Sequence, residues 1–522
     1  MLASGRNGMV ASPHRLATQA GAKVLAAGGN AIEAAIAVGA AIGVVYPHFC
    51  GLGGDSVWLV ADRDGRRTCF LGIGQAAANL PAFDRPIPTR GPLSMLTTAC
   101  TVDSWGRAYE YSAREWGGAT PFSSLLTDAI AHARDGFPVS KSQSFWLAFR
   151  QRETGRWPGF AQAFLRDGAA EAVALFRQEG VARALEDIAR DGPRSFYEGA
   201  LAGRIAEGLA AAGSPLTPAD LAATRTREVA PLSLSYRGVE LLAPPPPTQG
   251  VTTLAIMGVL AHFDLAARKS GSADHIHLCV EAVKRAFLTR GAIADPDFVA
   301  QPVADWLDPA RLAEAAKSIA MERALDWPQP FRTGDTVFYG AVDGESRSVS
   351  VLQSLYFDWG SGVPVGDTGI LWQNRGAGFS VEAGHPNCVA PGKRPFYTLN
   401  PGLALKDGKP AFVYGTQGAD GQPQTLAMVL TRLIDFGEDP LAALAGPRFL
   451  LGKTFSDSRD SLKIEEDCGA EVVADLAARG HALSPIAAQS PLAGQAGVIA
   501  LGADGAVSGA HDPRGEGDAR AV

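Results

Sequence analysis

Cysteine is scarce and scattered in this chain. Only six of its 522 residues are cysteines (Cys50, Cys69, Cys100, Cys279, Cys388 and Cys468), and no two form a CxxC pair. That spacing excludes the common zinc ribbons and fingers, and it offers no disulfide framework of the small-domain kind. The thiols are therefore expected to be reduced and mostly buried. Long hydrophobic runs are also missing. The longest, residues 31–46, is interrupted by Glu33 and is too short to span a bilayer, so it is expected to be a buried helix and no membrane partner is expected. Residues 1–8 show no apolar core of a secretory signal, which makes the cytoplasm the expected compartment. There is no excess of positive charge either: the formal net charge is −7, with both signs interspersed, which argues against a nucleic-acid partner.

What the chain does have is length, apolar content and glycine. With 522 residues and 46 % apolar side chains it can build two ordinary cores or one large α/β unit. Sixty glycines and 34 prolines suit a loop-rich enzyme with close backbone approaches. Helical patterning covers residues 13–45 in two blocks, split by Gly28-Gly29-Asn30, where Asn30 can cap the second. Residues 56–61 and 68–71 alternate like the two strands of a hairpin. Residues 120–207 and 275–287 read as mainly helical. After Asp335 the texture changes: residues 336–342 and 348–355 form a second hairpin pattern, and residues 497–501 and 506–510 a third. Helices at both ends with strands between them suggest layered α/β packing with antiparallel sheets.

Six stretches carry chemistry when taken together. Met9-Val10-Ala11-Ser12-Pro13-His14 leads to Gly28-Gly29-Asn30-Ala31-Ile32-Glu33. Arg134-Asp135-Gly136-Phe137 and residues 244–250 follow. Next come Gly334-Asp335-Thr336-Val337-Phe338-Tyr339-Gly340, the run 391–418, and Gly509-Ala510-His511-Asp512-Pro513-Arg514. In this order the chain resembles the γ-glutamyltransferase family. The resemblance implies an Ntn-hydrolase αββα sandwich, made as one polypeptide and self-cleaved between Asp335 and Thr336. Residues 1–335 would be the large subunit and 336–522 the small one, interleaved in one structural unit. The two would pair as a heterodimer, with a dimer of heterodimers as a further assembly.

The chemistry implied is specific to single residues. A threonine hydroxyl is a weak nucleophile without an adjacent base, and a freed α-amine on Thr336 supplies one with a reference pKa of about 8. Ser354 matches the family's second hydroxyl, which supports the nucleophile. Gly418 and Ala419, in Gly415-Thr416-Gln417-Gly418-Ala419, match the glycine-rich turn whose N–H groups hold the oxyanion. No metal or other cofactor is implied, and His14, His275 and His277 are expected to be ordinary helix or loop residues. The turn Gly51-Leu52-Gly53-Gly54-Asp55 lacks the Lys-Ser/Thr of a phosphate loop and precedes a strand, so it is expected to be structural and packed near the active site.

Recognition of a glutamyl group is where the chain departs from the pattern. The family's aspartate for the substrate ammonium is replaced by Gly378, within Gln373-Asn374-Arg375-Gly376-Ala377-Gly378. Tyr397 and Thr398 stand at the family's paired serines, and Tyr356 at an asparagine. With Asn374, Arg375, Tyr356, Tyr397 and Thr398 as its lining, the pocket is expected to offer a cation and hydroxyl donors but no carboxylate. Such a site suits a small anion, which arginine grips in bidentate fashion. The blocks 89–92, 366–369 and 421–424 also look most like the oxamate amidohydrolase branch. The expected activity is hydrolysis of a small anionic, oxamate-like amide through an acyl-threonine. Two alternatives stay open: γ-glutamyl transfer or hydrolysis, and a cleaved but idle metabolite-binding protein.

Overall fold

The computed structural model describes residues 1–165, 175–327, 335–454 and 457–522; Gly334 of the motif and part of the expected helical region 120–207 lie outside them. Helices α1 (Arg15–Ala26) and α2 (Ala31–Val45) form where the patterning places them. The Asn30 side chain accepts from the N–H groups of Ile32 and Glu33, and the Glu33 carboxylate accepts from the Asn30 N–H at 2.9 Å. This reciprocal cap satisfies three otherwise orphaned donors, which a helix buried along its whole length requires. His14 caps α1 through Nδ1. The glycine turn after α2 delivers the chain into strand β1 (Asp55–Ala61).

Strands β2 (Asp335–Asp343) and β3 (Ser348–Tyr356) lie at the centre of a seven-stranded antiparallel sheet. Its order is Asp518–Ala521, Gly8–Ser12, β2, β3, β1, Arg67–Gly72 and Arg227–Val229. A second antiparallel sheet, also of seven strands, runs Ala3–Gly5, Val507–His511, Ala496–Leu501, β4 (Lys409–Thr416), Gly402–Lys406, Val239–Ala243 and Leu232–Tyr236. Residues from both sides of Asp335 thus contribute strands to both sheets.

The period of two along β2 and β3 sorts their side chains between two cores. Val337, Tyr339 and Ala341, with Val349, Val351 and Leu355, join the cluster built on α2 and its neighbours. Phe338, Val342 and Leu352 point the other way and pack with Leu403, Val413 and Ile499 of the second sheet. A third cluster covers the outer face of that second sheet with helices Gly250–Leu260, Ala273–Ala286 and α3 (Gln422–Ile434). The layers are helix, sheet, sheet, helix, as expected. A side chain at Gly415 would place its Cβ 2.3 Å from Phe338 Cδ2, so glycine there lets the sheets close. Phe338→Ala should remove the plug of this interface and cost about 3–5 kcal/mol, read as a lower urea midpoint.

The six cysteines are free thiols, four of them buried. Among the described residues no helix is long and apolar enough to cross a membrane.

Candidate active site

Thr336 and Ser354 face the gap between the sheets, in step with Phe338 and Leu352. Asp335 pairs with Tyr356 and Val337 with Gln353, so two residues of β3, Ser354 and Leu355, oppose Thr336 alone. This bulge turns Ser354 towards both halves of the Asp335–Thr336 peptide. Thr336 Oγ1 donates to Ser354 Oγ at 3.3 Å, and Ser354 Oγ donates to the Asp335 carbonyl at 2.8 Å. The Tyr356 N–H donates to Ser354 Oγ at 2.8 Å and fixes the hydroxyl from the other side. Thr336 is 1 % exposed and Ser354 wholly buried. Tyr356 has φ +85°, a left-handed conformation that a bulky residue adopts only when its surroundings hold it there.

Gly418 and Ala419 follow β4 at the same end of the sandwich. Their φ angles are +119° and +45°, and together they turn the chain into the 3-10 turn Ala419–Gly421 and then α3. The first N–H groups of such a helical start have no acceptor within the helix. Gln249 is a residue that motif reading missed. Its Nε2 donates to the Ala419 carbonyl at 2.8 Å and to the Thr398 carbonyl at 2.7 Å, tying the glycine turn to the substrate block.

Arg375 is 1 % exposed and lies between two aromatic faces, its guanidinium carbon 4.0 Å from the Tyr356 ring centre and 4.1 Å from that of Tyr397. Its polar contact is a long one, 3.5 Å to Thr398 Oγ1, and its Nε has no hydrogen-bond partner. Rings on both faces leave the in-plane donors of the fork as the route to an anion. Asn374 is placed differently from the others: its Nδ2 donates to the Thr89 carbonyl at 2.6 Å and its Oδ1 accepts from the Phe357 N–H at 3.1 Å. Its side chain holds the backbone after Tyr356.

The expectation of a pocket without a carboxylate needs correction. The Tyr397 hydroxyl donates to Asp55 Oδ2, while Asp55 Oδ1 accepts from the N–H groups of Gly74 at 3.0 Å and Cys100 at 2.9 Å. Asp55 is also the ladder partner of Ser354. The glycine turn is structural as expected, but it delivers a buried acid to the floor of the site. Burial raises the Asp55 carboxyl from 3.8 to about 6, against the opposing pull of Tyr397 and Arg375. A folded-state value above the unfolded one gives stability that is complete below pH 4 and lost as the pH rises through about 6, on the order of 3 kcal/mol in all. Asp55→Asn should flatten the dependence of the unfolding midpoint on pH across that window, measured in the uncut Thr336→Ala background.

Comparison with known proteins decides the family. The family model described as Gamma-glutamyltranspeptidase matches residues 17–522. The chain belongs to this family. It is 43 % identical over 520 residues to the oxamate amidohydrolase proenzyme of Klebsiella pneumoniae subsp. pneumoniae, covering 98 % of each chain. It is 38 % identical to the glutathione hydrolase-like YwrD proenzyme of Bacillus subtilis, covering 99 % of this chain and 98 % of that one. The crystal structure of cephalosporin acylase from Bacillus halodurans superposes with a TM-score of 0.91 at 31 % identity, over 100 % of this chain and 97 % of that one.

In this gamma-glutamyltranspeptidase family member the Asp335–Thr336 bond lies within β2 and is intact. The Asp335 side chain lines a cavity of about 670 Å³ together with Gln417, Gly418 and Asp358. Burial holds the Asp335 carboxyl well above the usual range, and the nearby Asp358 carboxylate adds to the effect. Asp358 itself is ion-paired with Arg150 at 2.7 Å and Arg90 at 3.1 Å. Elsewhere, His277, Glu281 and His481 bring possible ligand atoms within 4.8 Å of one another. Glu281 is already paired with Lys284 and Arg285, and His277 Nε2 lies 3.0 Å from the Ala320 carbonyl, so local partners account for this cluster.

Proposed function

We propose that this amide hydrolase cuts its own chain between Asp335 and Thr336 and then hydrolyses small anionic amides of the oxamate class through an acyl-Thr336 intermediate. The observation that carries the reading is the hydrogen-bond chain from Thr336 Oγ1 to Ser354 Oγ to the Asp335 carbonyl. In the cut, Thr336 Oγ1 bonds to the Asp335 carbonyl carbon and the carbon–nitrogen bond breaks. The hydroxyl proton ends on the new α-amine of Thr336. Ser354 stands where it can take that proton while polarising the carbonyl that is attacked. Water then hydrolyses the ester and leaves Asp335 as a carboxyl terminus.

In turnover the α-amine takes over as base. Thr336 Oγ1 attacks the substrate carbonyl, whose oxygen is stabilised by the N–H groups of Gly418 and Ala419. The amine leaves with a proton, and water regenerates the hydroxyl. The caged fork of Arg375 suits the substrate carboxylate, with Tyr356, Tyr397 and Thr398 around it. Glutamyl recognition is less well supported, because Gly378 offers no side chain to an ammonium and the oxygens of Asp55 are engaged by Tyr397, Gly74 and Cys100.

Ammonia release from oxamate, run beside a γ-glutamyl anilide, tests the substrate class; turnover of the anilide alone would overturn it. Ser354→Ala should slow both self-cleavage and hydrolysis by a factor on the order of 10², followed by gel densitometry and by ammonia release.

A further inference from the structure

The cavity beside Asp335 is larger than oxamate hydrolysis requires. Oxamate releases ammonia, which is close to water in size and occupies about 30 Å³. The cavity measures about 670 Å³, within the range of roughly 300–1,000 Å³ typical of sites for drug-sized ligands. Its apolar walls come from parts of the chain far apart in sequence: Phe49, Phe357, Leu450, Pro491 and Leu492. It also reaches Gln417 and Gly418, next to the donors assigned to the oxyanion. Arg375 is not among its walls. The guanidinium lies instead over Tyr356, the ladder partner of Asp335. A substrate whose carboxylate sits on Arg375 and whose carbonyl sits on Thr336 therefore has its amine end left to fill this space.

We propose that the cavity is an amine-side subsite. The favoured substrates are then short anionic acyl amides, such as N-substituted oxamates, whose amine bears an apolar group of aromatic size. This rests on the oxamate-class reading above and names the other half of the substrate. The reaction is unchanged in its balance: the acyl–Thr336 ester forms, the carbon–nitrogen bond breaks, and a primary amine leaves in place of ammonia with the proton from the threonine hydroxyl. Burial of a ring against Phe49, Phe357 and Leu492 supplies binding that ammonia cannot.

The test compares oxamate, N-phenyloxamate and a γ-glutamyl anilide on the processed protein and on two wall variants, Leu492→Glu and Leu492→Ala. Leu492 touches neither the nucleophile nor the arginine cage, and a normal cut at Thr336 reports that each variant folds. The wild type is expected to favour N-phenyloxamate over oxamate by about tenfold or more in kcat/KM. Leu492→Glu should erase that preference and Leu492→Ala reduce it, with oxamate turnover kept in both. Equal rates on the two oxamates, turnover of oxamate alone, or a preference that survives Leu492→Glu would overturn the subsite and leave the oxamate-class reading standing. Failure to hydrolyse either oxamate, whatever happens to the anilide, would overturn that reading and the subsite with it.

Discussion

Thr336→Ala is expected to leave the 522-residue chain uncut and without amide hydrolysis. The side chain is buried, and its hydroxyl contacts Ser354 Oγ at 3.3 Å. Removing it deletes the atom that attacks the Asp335 carbonyl and, in the mature enzyme, the substrate. Loss of a nucleophile in an enzyme that works through a covalent intermediate lowers turnover by a factor on the order of 10⁶. The fold should survive, because β2 keeps its ladder and Phe338 keeps its place between the sheets. Circular dichroism and an unfolding midpoint close to that of the wild type separate a chemical defect from a structural one. Intact mass should show one chain for the variant. The wild type should give two fragments, the second beginning at Thr336, and an uncut wild type would remove the mechanism. Thr336→Ser retains an attacking oxygen but loses the methyl group that restricts χ1, so it should still cut, more slowly.

The second large effect belongs to Arg375. Its guanidinium is buried between two rings, and such a cation earns its place only by meeting an anion. Removing one partner of a buried, hydrogen-bonded charge pair costs about 2–5 kcal/mol, which corresponds to roughly 30- to several-thousand-fold in affinity. Arg375→Ala should therefore raise KM for oxamate by about that factor and leave self-cleavage intact, since the Asp335 carbonyl is approached from Ser354. Arg375→Lys should recover little, because a point charge on a flexible stem can neither stack between Tyr356 and Tyr397 nor present a fork. Uninhibited saturation kinetics with the lysine variant would exclude Arg375 as the anion site.

Local signals in the sequence carried much of the fold. The Gly-Gly-Asn break with Glu33 three residues on marked both the end of one helix and the cap of the next. Alternation around Asp343-Gly344-Glu345-Ser346 marked the β2–β3 hairpin. Asp55 escaped because its meaning is not local: the hydroxyl that binds it belongs to Tyr397, 342 residues away. A signal was nevertheless present. An acid that heads a strand of wholly buried residues needs a partner, and glycine-turn reading did not ask for one. Gln249 was hidden for the same reason, since its bonds run to carbonyls at positions 398 and 419. The cavity was illegible too, because walls drawn from residues 49, 357, 450 and 492 meet only in three dimensions.

The interleaving of strands has a consequence for how this protein can be made. In the first sheet Gly8–Ser12 lies between Asp518–Ala521 and β2, and in the second Ala3–Gly5 borders Val507–His511. A fragment ending at Asp335 would thus expose unpaired strand edges on both sheets, and so would its complement. Fragments separated in denaturant and diluted together are expected to aggregate or recover slowly, whereas Thr336→Ala, still one chain, should refold. The order of events is thereby one-way: assembly must come before scission, and each mature molecule keeps a shape that its separate pieces no longer encode.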